Sequence, residues 1–344
     1  MDSTPAPART SVTLALGGGG ARGYAHIGVI QVLEENGFDV VGVAGTSMGA
    51  LIGGLHAAGH LDAYADWVSS LTPRDIIRLI DPSLRSPGAI KGERIMAKVI
   101  ELLDGVRIED LPVPFTAVAT DLLHRKEVWF QEGPLDMAIR ASIALPSFFA
   151  PVVLNGRLLA DGGMTNPVPI APLSGQPSDL TVAVNLSGPP SGRESLESWT
   201  RASSEPGQSG DWQEKLARTA TQVLDNEAGR RISQWLTHRR HDDHDQDESA
   251  SPTLASSAPE VGVSEAFEEL PSALNMIDVV ELSYDALESV VLRYRLASYP
   301  PDLMVTLPKN ICRTLDFHRA AEMIQVGREY TERALAERER AAGF

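Results

Sequence analysis

The stretch VTLALGGGGARGYAHIGVIQVLEENGFDVVGVAGTSMGALIGGLHAA, residues 12–58, holds two short apolar runs, each closed by glycine and each followed by a helical pattern. Val12 to Leu16 runs into Gly17-Gly18-Gly19-Gly20, as a buried strand entering a tight turn should. Residues 22–36 carry Ile27, Ile30 and Leu33 at helical spacing, and Asn36-Gly37 supplies the stop. Val40 to Ala44 reads as the second strand, and a helix from Met48 to about Ala58 follows Ser47. Strand, helix, strand, helix with short joints predicts an α/β fold whose parallel sheet is covered by helices.

Further along, residues 62–104 read as two helical pieces separated by the breaker-rich segment 81–88. Phe115 to Ala119 and Glu127 to Phe130 read as strands, and Leu135 to Ser142 as a helix. Val152-Val153-Leu154 and Leu158-Leu159-Ala160 flank Asn155-Gly156, a hairpin signal, and the hairpin ends at Asp161-Gly162-Gly163. Thr181 to Leu186 is one more strand. Helices over 272–298 and 316–338 enclose a strand at Leu303 to Leu307, and residues 339–344 read as a tail.

The 344 residues carry a formal net charge of −16. Residues 191–270 hold 16 acidic and 8 basic side chains, half of that net charge. Rich also in Ser, Gly and Pro, the segment 188–270 is expected to be a largely disordered insertion with one helix over 211–237, and residues 1–11 a flexible start. His238, His241 and His244 alternate with aspartates there and read as solvated rather than as metal ligands. The acidic balance argues against nucleic acid as a partner and against simple adsorption to anionic lipid. One cysteine, Cys312, excludes an intrachain disulfide. Residues 40–61 lack Asp, Glu, Lys and Arg over 22 positions, roughly a membrane span, but six glycines make a strand, a tight turn and a small-residue helix the better reading. The start, Met1-Asp2-Ser3-Thr4-Pro5, lacks the profile of a secretory signal, and a cytoplasmic placement is expected.

Two chemistries fit the first glycine turn. Gly18-Gly19-Gly20-Ala21-Arg22-Gly23 satisfies the dinucleotide fingerprint, with Asp39 near the position of a ribose-binding acid. It can equally present free N–H groups to a developing oxyanion. The next joint discriminates, because Gly45-Thr46-Ser47-Met48-Gly49 places a serine between glycines where strand turns into helix. Neighbours without Cβ let strand and helix approach while the serine takes unfavourable backbone angles. A serine nucleophile needs a base. No histidine has a strong local case, and His26 is expected to pack beside the glycine loop. Asp161, at a hairpin end beside two glycines, is the better candidate, although by itself it reads as a turn residue. A carboxylate can take the serine proton directly if the site excludes water.

The order of these motifs resembles the patatin-like phospholipases, including the bacterial RssA type and the catalytic domain of neuropathy target esterase. Residues 140–146 (Arg-Ala-Ser-Ile-Ala-Leu-Pro), 149–152 (Phe-Ala-Pro-Val) and 166–169 (Asn-Pro-Val-Pro) resemble that family as well. The likeness covers about residues 12–187, a catalytic core, and more weakly 272–330, so that 271–338 would complete the domain. It implies a three-layer α/β/α fold with a mainly parallel sheet and a Ser–Asp dyad without histidine. It implies Ser47 as nucleophile, Asp161 as base, the backbone of Gly18, Gly19, Gly20 and Met48 as oxyanion hole, and Arg22 with Gly23 as loop-ordering residues. Gly45, Gly49, Gly162 and Gly163 are the motif glycines. The expected activity is hydrolysis of carboxylic esters of phospholipids, lysophospholipids or other acyl esters, without metal or organic cofactor and with transient contact to a lipid surface. A thioesterase or acyltransferase with the same dyad, a dinucleotide-binding module and a non-catalytic regulatory protein are the alternatives. Phe148, Phe149 and residues 76–80 are candidates for an apolar acyl path as well as for core packing.

Overall fold

The computed structural model describes residues 9–79, 88–90, 93–191 and 276–343. Residues 9–191 and 277–343 belong to one compact unit. Its strands are β1 (Thr10–Leu16), β2 (Phe38–Thr46), β3 (Gly88–Ile90), β4 (Phe115–Asp121), β5 (Lys126–Phe130), β6 (Ser147–Phe149), β7 (Val152–Leu154), β8 (Arg157–Asp161), β9 (Leu180–Gly188) and β10 (Leu303–Pro308). Its helices are α1 (Ala25–Glu35), α2 (Met48–Ala57), α3 (Leu61–Ser70), α4 (Pro73–Leu79), α5 (Glu93–Leu103), α6 (Leu135–Ser142), α7 (Met276–Ser298) and α8 (Ala320–Ala342).

The main sheet runs β10-β9-β1-β2-β4-β8-β7, with β5 also paired to β4. The pairs from β10 through β4 are parallel, and β4 meets β5 and β8 antiparallel. Because β1 and β2 are parallel neighbours, their C-terminal ends lie together, and these ends carry the glycine turn and Ser47. The register Ala119 to Asp161 brings the hairpin end to the same edge of the sheet.

Alternation along the central strands sorts side chains into two cores. Val12, Leu14 and Leu16 of β1, with Val43, Val182 and Val184, join α1, α2, α3 and α8 in the larger core. The opposite face is small: Ala15, Ala44 and Ala183 pack with Val168, Ile170 and Leu292 of α7. Alanines on three adjacent strands leave room for α7 to lie close to the sheet. On the larger face α1 and α8 approach so closely that a Cβ on Gly28 would meet the Ile324 carbonyl oxygen at 2.0 Å, and one on Gly327 the Ala25 carbonyl oxygen at 2.0 Å.

The expected strands and helices of residues 12–58 form, the second strand longer at both ends. The first helical piece of 62–104 is instead two helices, α3 and α4. Pro73 opens α4, and Thr72 and Asp75 exchange backbone and side-chain hydrogen bonds across its start at 2.6–3.4 Å, as in a capping box. β3 pairs with β6 in a small second sheet that the hydrophobic pattern did not announce. Asn155 and Gly156 both take positive φ (50° and 74°), the turn their sequence demands. The last helix continues to Ala342 through most of the expected tail and ends on Gly343 in the left-handed region. Most of the acidic insertion, its expected helix over 211–237 and its three histidines lie outside the described residues. Among the described residues no helix is long and apolar enough to cross a membrane.

Candidate active site

Ser47 sits between β2 and α2 with φ 55° and ψ −123°, a conformation unfavourable for a residue with a Cβ. The surrounding structure fixes it there. Ser47 N–H donates to Ser142 Oγ at 2.9 Å, and the Ser142 hydroxyl donates to the Val118 carbonyl at 2.6 Å. One step back, the Thr46 hydroxyl donates to the Asn166 carbonyl at 2.8 Å. The flanking glycines are steric necessities: a Cβ on Gly49 would lie 2.0 Å from the Leu16 carbonyl oxygen, and one on Gly45 2.3 Å from that of Gly49.

The glycine turn is tied down at its start. Gly17 N–H donates to Val184 and Gly18 N–H to Pro167, at 3.0 and 3.1 Å. The Gly18 amide is therefore engaged, and this corrects its expected place among the oxyanion donors. Among the described residues the N–H groups of Gly19, Gly20 and Met48 meet no acceptor. A Cβ on Gly18 would come to 3.5 Å from the Ser47 Cβ, so this turn lies beside the serine. Arg22 is buried, and its NH1 donates to the carbonyls of Lys309 and Cys312 at 3.1 and 3.0 Å, binding the turn to the segment after β10. Gly23 leaves space that Met48 fills, a Cβ there meeting the Met48 Cβ at 2.2 Å. His26 lies beside the turn, its Nε2 bonded to the Gly17 carbonyl at 2.8 Å, and burial lowers its pKa to about 4, so it stays neutral and donates.

Asp161 ends β8 and is 2% exposed. Its Oδ1 accepts the Gly163 N–H at 2.8 Å, while Oδ2 is buried without a hydrogen-bond partner. Burial pushes the carboxyl up to about 6, against the opposing pull of the Ser47 hydroxyl and the Gly163 N–H. The hydroxyl is thus close enough to act on the carboxylate without a fully formed bond to Oδ2. The turn is immobilised through backbone and side chain alike. Asp161 N–H donates to Ala144 at 2.9 Å, the Thr120 hydroxyl to the Asp161 carbonyl at 2.8 Å, and Asn166 Nδ2 to Glu127 at 2.8 Å. Glu127 in turn pairs with Arg295 of α7 at 3.1 Å.

Two cavities meet at Ser47. One lies between the glycine turn, Asp161 and the α7 residues Val280, Tyr284, Asp285 and Glu288. The other is lined by Met48, Leu51, Trp67, Leu71, Ile76 and Phe149 among others and, among the described residues, by no charged side chain. Leu79 lines it too, whereas the side chains of Ile77, Ile80 and Phe148 lie outside the described residues. Glu288 is 8% exposed, and burial together with Asp285 and Asp161 pushes its pKa up to about 8.

A family model described as patatin-like phospholipase matches residues 14–174. An uncharacterised NTE family protein of Mycobacterium tuberculosis is 44% identical over 334 residues, which cover 94% of this chain and 91% of that protein. The chain belongs to the patatin-like phospholipase family. Other family members are similar over about half of this chain. Lysophospholipase NTE1 of Yarrowia lipolytica is 30% identical over 51% of the chain and 13% of its own length. A patatin-like phospholipase domain-containing protein of Caenorhabditis elegans is 35% identical over 46% of the chain and 12% of its own. Among solved structures, VipD from Legionella pneumophila superposes with a TM-score of 0.47 and 16% identity over 97% of this chain and 68% of that one. The patatin-like match contains the glycine turn, Ser47 and Asp161 but stops before β9. Tyr284 and Glu288 come from outside it. Their four-residue spacing with Val280 puts all three on one stripe of α7, which was legible, but nothing local said that the stripe faces the serine.

Proposed function

We propose that this patatin-like chain is a serine lipid acyl hydrolase in which Ser47 and Asp161 act as a dyad. The observation that carries the reading is the Asp161 carboxylate, with one oxygen anchored by Gly163, the other buried and unpartnered, and the Ser47 hydroxyl beside it. Oδ2 takes the hydroxyl proton as Oγ attacks the acyl carbon, and the carbonyl electron pair moves onto oxygen. The Gly19 and Gly20 N–H groups, with that of Met48, are the donors free to hold this oxyanion, each contributing roughly 3 kcal/mol to the barrier reduction. Collapse expels the alcohol, which takes the proton from Asp161. Water then gives a proton to Asp161, attacks the acyl carbon and releases the acid, and the proton returns to Ser47 Oγ. The apolar cavity suits an acyl chain. Neutral His26 is bonded to the turn and has no part in proton transfer.

A fluorophosphonate probe combined with ester turnover tests the dyad. Wild type is expected to label and to hydrolyse a medium-chain acyl ester, Ser47→Ala to do neither, and folded Asp161→Asn to lose at least about 10³-fold in rate. Undiminished labelling and turnover in folded Ser47→Ala would refute the assignment.

A further inference from the structure

Val280, Tyr284 and Glu288 form a stripe along α7 that closes one side of the cleft over Ser47. Glu288 stands between the two catalytic turns. Its Oε1 lies 3.8 Å from the place a Cβ would take on Gly18 and 3.5 Å from that place on Gly163. Among the described residues, what favours its ionised form is slight: the buried Arg22 guanidinium acting through space and one hydroxyl. Among the described residues Oε2 receives only a 3.4 Å bond from the Ser187 hydroxyl, and Glu288 has no ion pair. The Arg22 guanidinium lines the same cleft, but its NH1 is committed to the Lys309 and Cys312 carbonyls. A larger apolar side chain would fill the space at less desolvation cost, so the acid needs a reason in what the cleft receives.

The two cavities differ in charge. Gly20, Ser47, Leu145 and Thr314 line both, which makes the serine their junction. Beyond it, among the described residues, one arm has no charged lining residue, whereas the other is lined by Asp161, Asp285, Glu288 and Arg22. An ester with its carbonyl at Ser47 has an acyl chain on one side and a leaving oxygen on the other. If the chain enters the apolar arm, the leaving group must enter the acidic one.

We propose that the cleft beneath α7 is a leaving-group subsite that selects cationic alcohols and rejects anionic ones, with Glu288 as its specificity-determining residue. The orientation of the substrate rests on the acyl-hydrolase reading above; the cation preference of the cleft does not. The buried acid responds to what enters. At neutral pH it is protonated, and an ammonium group beside it draws the proton off, so binding and ionisation are coupled. The groups facing Glu288 are Asp285 and Tyr284 of its own helix, Asp161, Arg22 and Ser187. Among the described residues Arg22 is the charged group here that opposes a cation.

Three decanoyl esters with one acyl chain test this: the cationic choline ester, its neutral isostere from 3,3-dimethylbutanol, and the anionic 2-hydroxyethanesulfonate ester. The cation is expected to exceed the anion in kcat/KM by about tenfold or more in wild type, and Glu288→Gln to remove most of that ratio. The cation-to-neutral ratio is expected to rise from about pH 6.5 to about pH 9 in wild type and to stay flat in the variant. A second measurement does not need turnover. Titration calorimetry of Ser47→Ala with nonyltrimethylammonium or nonyl sulfate, below their micelle concentrations, reads the preference as binding. At pH 7 the cation should release a proton, seen as a heat that depends on buffer ionisation. Equal affinities without proton release, or an unchanged ratio in folded Glu288→Gln, overturn the subsite even if every ester is hydrolysed. A cation preference in Ser47→Ala with no wild-type hydrolysis would leave the subsite standing and remove the hydrolase reading.

Discussion

A buried carboxylate oxygen without a partner is costly, and at Asp161 the cost is visible in its titration. The carboxyl is raised from its ordinary 3.8 to about 6, so between these values the folded chain holds a proton that the unfolded chain has lost. Stability is therefore fully present below about pH 4 and declines as pH rises through about 6. At 1.36 kcal/mol per unit the decline is about 3 kcal/mol. Asp161→Asn should abolish that part of the pH dependence, which chemical denaturation at pH 4 and pH 7 will show as a difference between the two proteins. Under the proposed dyad, catalysis has the opposite sign. A base is useful only when ionised, so kcat/KM should fall about tenfold per pH unit below about pH 6. Of the residue-scale features, Ser47 and Asp161 could be picked out of the sequence because Ser47 lies between, and Asp161 directly before, glycines that sterics require. The committed Gly18 amide could not be foreseen, since its acceptor, Pro167, is distant in sequence.

Elements hold the strained serine in place. The conformation of Ser47 survives because Ser142, the last residue of α6, accepts its N–H and hands its own hydroxyl to Val118 of β4. Ser142→Ala removes both bonds from a fully buried place. It should cost about 1–3 kcal/mol in unfolding free energy and lower kcat more than it raises KM, as steady-state kinetics on the folded variant can show. Helix α7 plays the corresponding part for the turn that follows Asp161. Arg295 bonds the Thr165 carbonyl at 3.0 Å and pairs with Glu127, which in turn accepts from Asn166. Arg295→Met should loosen the turn that follows Asp161 and reduce turnover several-fold while secondary structure by circular dichroism is retained. Helix and strand periodicity made nearly all of these elements legible. Their mutual contacts were not, because a period of 3.6 or 2 identifies an apolar face without naming the element it meets.

In the whole molecule, order along the chain and order in the sheet differ. The first strand, β1, lies between β9 and β2, and β10 lies beyond β9. The first helix, α1, meets the last, α8, through glycines whose missing side chains admit backbone. Gly327→Val should force these helices apart and cost more than about 3 kcal/mol, with a matching loss of Tm in calorimetry. The strand-helix-strand beginning made the parallel sheet legible, and a strand at Leu303 to Leu307 was expected too, but not its place at the sheet edge nor that α7 would wall the cleft. This arrangement bears on biosynthesis. As the chain leaves the ribosome, β1 and α1 emerge before β9 and α8, so β1 lacks one neighbour until β9 is made and α1 lacks its partner until α8 is out. The nascent protein must carry an apolar helix face and an open strand edge until β9 and α8 are made, and the segment beyond residue 275 that helps to relieve this exposure also delivers Glu288 to the serine.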